Sequence, residues 1–290
     1  MTTIDNDPFT LMTVPAPSVD EAAVQALLDA QFGLCGTLKP LVSERDQNFA
    51  LTTHDDARFV VKISNSGESP AVLDFQARAL AHVARVAPGL PVPHIHPTTQ
   101  GDLLTSLSTP GGDCLVRVVT WLDGVPVDDV PKSRGLRTSM ATTLAELGRA
   151  LRGFFHPAAR HALLWDVNQA AAAAALARHI SDAPARAAAE TAFERHARGN
   201  QARLAQLRAQ VIHNDCNPDN ALVAAGNPES ISGIIDFGDM VYAPLINDLA
   251  VAAAYQVVGV DDPLGASCDL VGAYHAVYPL EDDEIDVLFE

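Results

Sequence analysis

Two short polar segments, each following an apolar run, constrain the fold of this chain more than any other feature. Residues 211–220 read VIHNDCNPDN and residues 233–239 read GIIDFGD. Between them, residues 221–224 and 231–235 are β-rich runs that flank an Asn-Pro turn, which predicts two strands with a short connection. Such a hairpin would return Asp236 to the side of Asp215, which precedes it by 21 residues. The sequence therefore predicts that these two carboxylates share one site.

The spacing of the polar residues in these segments indicates a loop that catalyses phosphate transfer. An Asp, an Asn five positions later and a second Asp at the end of a following strand are arranged as in phosphotransferases. Asp215 is predicted to orient the attacking hydroxyl and accept its proton. Asn220 and Asp236 are predicted Mg²⁺ ligands, because hard oxygen donors suit that cation. His213 is assigned to structural support, since no second histidine follows at the spacing a metallohydrolase would need.

A lysine inside an apolar run marks the N-terminal part of the chain. Residues 48–53 and 58–63 are β-rich and are separated by His-Asp-Asp-Ala, which predicts a hairpin. Lys62 lies in the second run, where burial is costly unless the ammonium group has an anionic partner. In a phosphotransferase that partner is a nucleotide phosphate, whereas the alternative is an edge-strand lysine facing solvent. A helix is predicted to begin at Ser69 and Pro70, and residues 114–122 to form a buried strand. The apolar face of that helix is predicted to contain Val72, Leu73, Leu80 and Val83.

Helical patterns dominate the rest of the chain. Helices are expected over residues 138–155, 165–180, 184–210 and 246–258, after a first helix over residues 18–28. The alanine tract within residues 165–180 is expected to be a closely packed helix, because alanine is the best helix former. The predicted fold class is α+β, with a strand-rich N-terminal nucleotide-binding lobe over residues 1–120. Residues 121–290 are expected to form a mainly helical C-terminal lobe for catalysis and acceptor binding.

The last ten residues, EDDEIDVLFE, predict an amphipathic helix. Its apolar positions Ile285, Leu288 and Phe289 would need a partner surface. Because the pattern stops abruptly, we expect that the chain is trimmed after residue 290, with further fused enzyme domains possible beyond it.

The charge balance restricts the partners. Asp and Glu number 36 against 19 Lys and Arg, which gives a formal net charge of −17. Nucleic acid is excluded as a partner, because its binding requires basic surface. An acidic field suits a cationic small-molecule acceptor, and it requires a divalent metal and a local cation for a nucleotide.

Cysteine usage and hydropathy predict the compartment. Four cysteines are scattered without a Cys-x-x-Cys pair, which predicts free thiols and neither a zinc site nor a disulfide framework. The N-terminus lacks a secretory signal pattern, and no apolar run reaches the roughly 20 residues that span a bilayer. A soluble cytoplasmic protein without membrane contact is expected.

With these motifs the chain resembles the aminoglycoside phosphotransferase and choline kinase superfamily. The shared features are the His-x-Asp-x-x-x-x-Asn loop, the Asp at the following strand end, and the Asp-Leu-Ala at residues 248–250. It resembles most the hydroxylysine kinase group, including kinase domains fused to class III aminotransferases. The blocks that carry this likeness are DQNF at 46–49, VKISN at 61–65, GFFHP at 153–157, LWD at 164–166 and IIDFGDMVY at 234–242. The resemblance implies a protein-kinase-like bilobal fold and phosphate transfer from ATP or GTP to the hydroxyl of a small amino alcohol or hydroxy amino acid. Aminoglycoside, homoserine or choline-like acceptors remain alternatives.

The resemblance also implies roles for residues outside the loop. Asp248 would brace the catalytic loop. The loop at residues 43–48 lacks glycines, so the phosphates would be held by its backbone amides or by Ser43 and Asn48. Trp121 would contact the nucleotide base, although a packing role is equally compatible with its position.

Two further positions concern the lysine and the acceptor. Gln76 stands where a Glu is expected to hold Lys62, and Asp74 is the other candidate for that contact. Asp239 and Tyr242 would face an amino substrate. A catalytically silent nucleotide-binding regulatory domain is the competing function, and the intact set of predicted catalytic and metal-binding residues argues against it.

Overall fold

The two β-rich runs near the N-terminus form neighbouring strands of a six-stranded antiparallel sheet. The computed structural model describes residues 14–109 and 111–288 and divides into two units, residues 14–123 and 124–288. The strands of the first unit are β1 Gly36–Leu41, β2 Gln47–Thr53, β3 Arg58–Ile63, β4 Ile95–His96, β5 Thr105–Thr109 and β6 Gly112–Thr120. The sheet order is β1-β2-β3-β6-β4, and β5 also pairs with β6. The predicted hairpin and the predicted strand at residues 114–122 are thereby confirmed.

Alternation along the central strands gives this sheet one mainly apolar, buried face and a second face on which polar and apolar residues mix. Phe49 of β2 and Val61 of β3 are buried in one cluster with Val24. Successive side chains in a strand point to opposite faces, so Asn48 and Lys62 lie on the other face. The sheet therefore presents Asn48 and Lys62, two of the predicted nucleotide-binding residues, away from its main core.

Two helices, α1 Glu21–Leu27 and α2 Pro70–Val86, complete the first unit. Asp20 caps α1 by accepting a hydrogen bond of 2.8 Å from the backbone N–H of Ala22, and a single π-helical turn over Leu28–Phe32 extends the helix. α2 begins at the predicted Ser69-Pro70 boundary. All four apolar residues predicted for its inner face are buried, which confirms its orientation.

Helices dominate the second unit, as predicted. They are α3 Arg134–Leu151, α4 Ala170–Ala174, α5 Ala183–Arg195, α6 Gln201–Leu204, α7 Ile246–Val257, α8 Pro263–Val277 and α9 Asp282–Leu288. The strands are β7 Val125–Pro126, β8 Ala209–Ile212, β9 Ala221–Ala224, β10 Asn227–Ile234 and β11 Val241–Pro244. α3 packs against α7, α8 and β10, and its buried residues recur at helical spacing, as in Leu136, Met140, Leu144, Leu147 and Leu151. β7, β9 and β10 form one sheet, and β8 pairs with β11.

The alanine-rich region differs from the prediction. The helix expected over residues 165–180 is divided into 3₁₀ turns at Val167–Gln169 and Ala177–His179 around the short α4. The helix expected over residues 184–210 ends at Arg195, and a π-helical turn, α6 and β8 follow. Neither α4 nor α5 buries a residue, because alanine offers little apolar surface to pack. Propensity alone therefore did not produce the closely packed helix that the tract predicted.

The predicted Asn-Pro turn is also wrong. Asn227 and Pro228 lie in β10, and the turn is formed by Ala225 and Gly226. β10 is an edge strand whose register shifts between Asn227 and Ile231, so the missing N–H of Pro228 interrupts no ladder bond.

The C-terminal helix α9 buries a different face from the predicted one. Glu284 and Val287 are buried, whereas Ile285 and Leu288 are half-buried and Phe289 lies outside the described residues. Glu284 tolerates complete burial because Arg208 pairs with both of its carboxylate oxygens, at 2.7 Å each.

All four cysteines are free, as predicted. Within the described part of the chain, none of the helices has the length and apolar character needed to cross a membrane.

Candidate functional site

The loop between β8 and β9 brings Asp215 and Asn220 together. The amide nitrogen of Asn220 donates to the Asp215 carboxylate at 2.7 Å and to the Asp215 carbonyl at 3.0 Å. A second amide, that of Asn217, donates to the same carboxylate at 2.9 Å. Because these contacts use the nitrogen of Asn220, its side-chain oxygen is the atom that can meet a cation.

Asn217 organises this loop, a role that the sequence interpretation missed. Its side-chain oxygen accepts hydrogen bonds from the backbone N–H groups of Asp219, at 2.8 Å, and Asn220, at 3.1 Å. Asn side chains commonly close turns in this way. The Asn-Pro pair at 217–218 was the signal that could have identified it.

Asp248 of α7 lies beneath the loop. Its side chain is 1% exposed and accepts hydrogen bonds from the backbone N–H groups of His213, at 3.2 Å, and Asn214, at 2.7 Å. Burial raises the pKa of Asp248, and the two backbone hydrogen bonds oppose that shift. Asn214 adopts a left-handed conformation with φ of 69°, which Asn tolerates better than most residues.

His213 joins the catalytic loop to the end of β10. Its Nδ1 accepts the backbone N–H of Asp215 at 3.2 Å, so its Nε2 carries the proton and donates to the Ile235 carbonyl at 2.9 Å. The ring also meets Phe237 edge to face at 4.8 Å. In return, the Ile235 N–H donates to the Asn220 carbonyl at 2.8 Å. These contacts fix the position of the residue that follows Ile235, which is Asp236.

Asp236 caps a 3₁₀ turn over Phe237–Asp239 and is exposed. One of its carboxylate oxygens accepts the N–H of Gly238 at 3.2 Å, and its φ is 57°. Among the described residues, Asp56, Asn214 and Asp236 are the non-glycine residues with positive φ, and the last two belong to this site. Unusual backbone conformations of this kind concentrate at functional sites.

The environment of Asp215 raises the pKa of its carboxyl group. Burial and then the negative charge of Asp239 raise the pKa of Asp215 to about 6, with a smaller contribution from Asp236. The hydrogen bond from Asn217 opposes this shift. The negative charges of Asp239 and Asp236 thus both act on Asp215, an arrangement that a divalent cation would stabilise.

The donor set suits a hard cation. Asn220 and Asp236 offer amide and carboxylate oxygens, the ligands that Mg²⁺ prefers. The described residues contain no cluster of three or more His, Cys, Asp or Glu side chains that could enclose a metal by themselves. Magnesium commonly takes one or two protein ligands and completes its coordination with water and substrate phosphates, so the residues fit that ion.

Tyr242 of β11 makes a cation–π contact with Arg160. The guanidinium carbon of Arg160, at the end of a 3₁₀ turn over Pro157–Arg160, lies 4.0 Å from the ring centroid. Tyr242 pairs with Val211 in the β8-β11 ladder, and Val211 precedes Asp215 by four residues. Sequence interpretation missed Arg160, which follows closely on the GFFHP block.

In the first unit, Lys62 is half-buried and stands opposite Asn48 in the β2-β3 pair. The Asn48 side-chain oxygen is buried and accepts no hydrogen bond from the described residues. Ser43, in the preceding loop, accepts the backbone N–H of Asp46 at 3.3 Å. Gln76 is buried in α2, whereas Asp74 is half-buried and accepts the side chain of Arg78 at 2.7 Å. The roles of these residues toward a nucleotide stay predictions.

Trp121 lies at the end of the sheet. The guanidinium carbon of Arg58 is 5.4 Å from the centroid of its ring, and Arg58 also pairs with Asp123. The backbone N–H of Trp121 donates to the Arg58 carbonyl at 3.0 Å. These are protein contacts, and a contact of Trp121 with the base stays a prediction.

Known proteins share this sequence pattern and fold. A sequence model of the phosphotransferase enzyme family matches residues 37–280. The hydroxylysine kinase of Mus musculus is 27% identical, with 94% of this chain and 78% of that protein covered. The hydroxylysine kinase of Danio rerio is 26% identical, with 94% and 80% covered. The predicted resemblance to the hydroxylysine kinase group is thereby confirmed.

Two solved structures illustrate the fold. An amicoumacin kinase, hAmiN, in complex with AMP-PNP, Ca²⁺ and Ami has a TM-score of 0.70 at 14% identity, with 93% of this chain and 83% of that chain covered. A microcompartment-associated aminopropanol kinase has a TM-score of 0.63 at 16% identity, with 91% and 83% covered. The predicted α+β, protein-kinase-like fold is confirmed by these likenesses.

Proposed function

Because this chain belongs to the phosphotransferase enzyme family, we propose that it transfers the γ-phosphate of ATP or GTP to the hydroxyl of a small hydroxy amino acid or amino alcohol. The observation that carries this proposal is the hydrogen-bonded pair of Asp215 and Asn220, tied through Ile235 to the strand end that bears Asp236. Base and metal ligands of a phosphotransferase occur in this order and proximity.

Asp215 acts on the acceptor. Its carboxylate takes a hydrogen bond from the acceptor hydroxyl and orients the oxygen toward the γ-phosphorus. It accepts the proton as the new P–O bond forms and the bond from the γ-phosphorus to the bridging oxygen breaks, which releases the nucleoside diphosphate. Such a base contributes roughly 10²–10⁴-fold to the rate. The two amides that hold this carboxylate, from Asn217 and Asn220, fix its direction before the acceptor arrives.

Asn220 and Asp236 would hold Mg²⁺, which would supply positive charge against the charge that develops on the phosphate oxygens. Asp248 and His213 keep both ligands in position, because Asp248 holds the start of the loop and His213 holds the residue before Asp236. Lys62, with Ser43, Asn48 and Trp121, is proposed to bind the nucleotide donor.

The acceptor side carries charges of both signs. Asp239, whose charge acts on Asp215, suits the ammonium group of an amino acceptor. The guanidinium carbon of Arg160 lies 4.0 Å from the Tyr242 ring centroid, and a ring contact of this kind uses none of the guanidinium N–H donors that could bind a carboxylate. No acidic side chain of residues 14–109 and 111–288 pairs with Arg160. A zwitterionic hydroxy amino acid therefore fits better than an amine alone, in agreement with relatives named hydroxylysine kinase.

The test is a matched pair of acceptors with ATP and GTP as donors. Hydroxylysine and the diamino alcohol that lacks only its carboxylate are compared by release of nucleoside diphosphate in the presence of Mg²⁺. We expect transfer to hydroxylysine at a kcat/KM roughly 10–100-fold higher, since charge-assisted hydrogen bonds to the carboxylate are lost in the other. Nucleotide binding without transfer to hydroxylysine or any other hydroxylated amine would refute the proposed activity.

Replacement of the arginine locates the preference. Arg160→Met should remove the advantage of hydroxylysine and leave kcat/KM for the diamino alcohol unchanged. Arg195→Met, at an exposed arginine of the same unit, is the matched control and should retain the wild-type preference. Equal effects of Arg160→Met on both acceptors would exclude a contact with the carboxylate.

A further inference from the structure

Arg117 of β6 is the most deeply buried arginine among the described residues of the first unit. It is 4% exposed, and its guanidinium donates one hydrogen bond, of 3.2 Å, to the hydroxyl of Ser64. No carboxylate of residues 14–109 and 111–288 pairs with it. Sequence interpretation treated Arg117 only as part of an apolar strand.

Such an environment is costly for a guanidinium group. A buried charge requires a counter-charge or several hydrogen bonds, and one neutral hydroxyl supplies neither for five N–H donors. Other shielded arginines of this chain have acidic partners, as Arg137 has Asp269 at 2.7 Å and Arg208 has Glu284 at 2.7 Å. Arg117 therefore calls for an anion that the protein itself does not provide in its described residues.

The strand register places this arginine beside Lys62. Lys62 faces Asn48 on one side and Arg117 on the other, in the antiparallel β2-β3 and β3-β6 pairs. Residues directly opposite in such pairs point to the same face with Cβ atoms about 5 Å apart. Two like charges at that distance destabilise the sheet unless an anion lies against both. Gln76, neutral where the resemblance implied a Glu, adds no negative charge to this face.

We infer that Arg117 is a second cation of the donor site, which binds a phosphate oxygen of a nucleoside di- or triphosphate next to Lys62. The inference rests on the proposed role of Lys62 as a nucleotide ligand. Guanidinium groups bind phosphate through two parallel N–H groups, and Arg117 has donors beyond the one that Ser64 occupies. The row Asn48, Lys62 and Arg117 then forms one polar strip across three strands.

The test compares ligands that differ in phosphate number. Calorimetry with Mg²⁺ present measures the binding of the nucleoside, the diphosphate and the triphosphate of the preferred purine to Arg117→Met. We expect Kd to rise roughly 10–100-fold for both nucleotides and to stay unchanged for the nucleoside. Arg117→Lys should recover part of the loss, and Arg85→Met, at an exposed arginine of the same unit, should bind as the wild type does.

Thermal unfolding separates this role from a structural one. The Tm of nucleotide-free Arg117→Met should equal or exceed that of the wild type, because removal of an uncompensated buried charge relieves the folded state. A lower Tm together with unchanged nucleotide affinity would overturn the inference and assign Arg117 to stability. Wild-type protein that binds nucleotide but phosphorylates no acceptor would refute the proposed activity alone, whereas wild-type protein that binds no nucleotide would overturn both.

Discussion

Replacement of Asp248 tests most directly how the catalytic loop is held. The carboxylate is 1% exposed and accepts the N–H groups of His213 and Asn214. Asp248→Ala would leave two buried amide groups without an acceptor, at a cost of about 1–3 kcal/mol each. The expected loss in the free energy of unfolding is therefore about 2–6 kcal/mol, a large part of the roughly 5–15 kcal/mol typical of a folded domain.

The variant Asp248→Asn separates loop position from loss of folding. The amide keeps one acceptor oxygen and turns an NH₂ group toward the other backbone N–H, so the expected loss is about 1–3 kcal/mol. The start of the loop should shift with it, and a displacement of about 1 Å at a catalytic group can lower kcat roughly 100-fold. Nucleotide affinity measured without Mg²⁺ should change much less, since the proposed donor ligands Lys62 and Asn48 lie in the other unit.

Urea unfolding and steady-state turnover of the full chain measure the two effects. Asp262→Asn is the matched control, because Asp262 is an exposed N-cap of α8 and Asn caps helices as well as Asp does. It should stay within about 0.5 kcal/mol of the wild-type free energy of unfolding. Wild-type stability and kcat in Asp248→Asn would refute the reasoning that these two hydrogen bonds position the loop.

Three other changes test separate contacts. Asp215→Asn should lower kcat by at least about 10²-fold and leave donor Kd by calorimetry within about twofold, because only the proton acceptor is lost; undiminished turnover would contradict its role. Asp236→Asn should raise the Mg²⁺ concentration for half-maximal activity at least roughly tenfold, since an amide brings no charge to the ion; an unchanged Mg²⁺ titration would exclude it as a ligand. Arg208→Met should lower the free energy of unfolding by about 3 kcal/mol, because buried Glu284 loses its partner. Arg203→Met removes an exposed ion pair and should lower the free energy of unfolding by less than about 1 kcal/mol. Equal losses in the two variants would contradict the expectation that burial makes the Arg208 pair more important for stability.

The sequence predicted the parts of the site that are set by short-range spacing. Asp215 and Asn220 are joined by one tight loop, and Lys62 belongs to a strand whose apolar neighbours fix its face. In both cases the covalent chain and the period of the strand leave little freedom. The positions of such residues follow from their neighbours in sequence.

Long-range partners could not be predicted in this way. The sequence predicted Ile285, Leu288 and Phe289 as the buried positions of α9, yet Glu284 is buried because Arg208, 76 residues earlier, pairs with it. The helix predicted for the alanine tract was wrong for the opposite reason. Local helix propensity is strong there, but no residue of α4 is buried, so packing does not stabilise a longer helix. Arg117 gives the same signal as Lys62, a charge within an apolar strand, and the register with Lys62 is what makes its position informative.

The distribution of charge explains how a chain with a net charge of −17 could bind a polyphosphate. An acidic protein repels a nucleotide at long range, so affinity must come from cations placed close to the phosphates. In the first unit Lys62 and Arg117 are paired on one sheet face, where the burial of Arg117 and the half-burial of Lys62 strengthen their attraction for an anion. In the second unit the charges of Asp236 and Asp239 act on Asp215, and a divalent cation would offset this repulsion. If Lys62 and Arg117 both attract the phosphates, added salt should raise the nucleotide Kd of the wild type by a larger factor than that of Arg117→Met. The variant has one fewer cation whose attraction salt can screen.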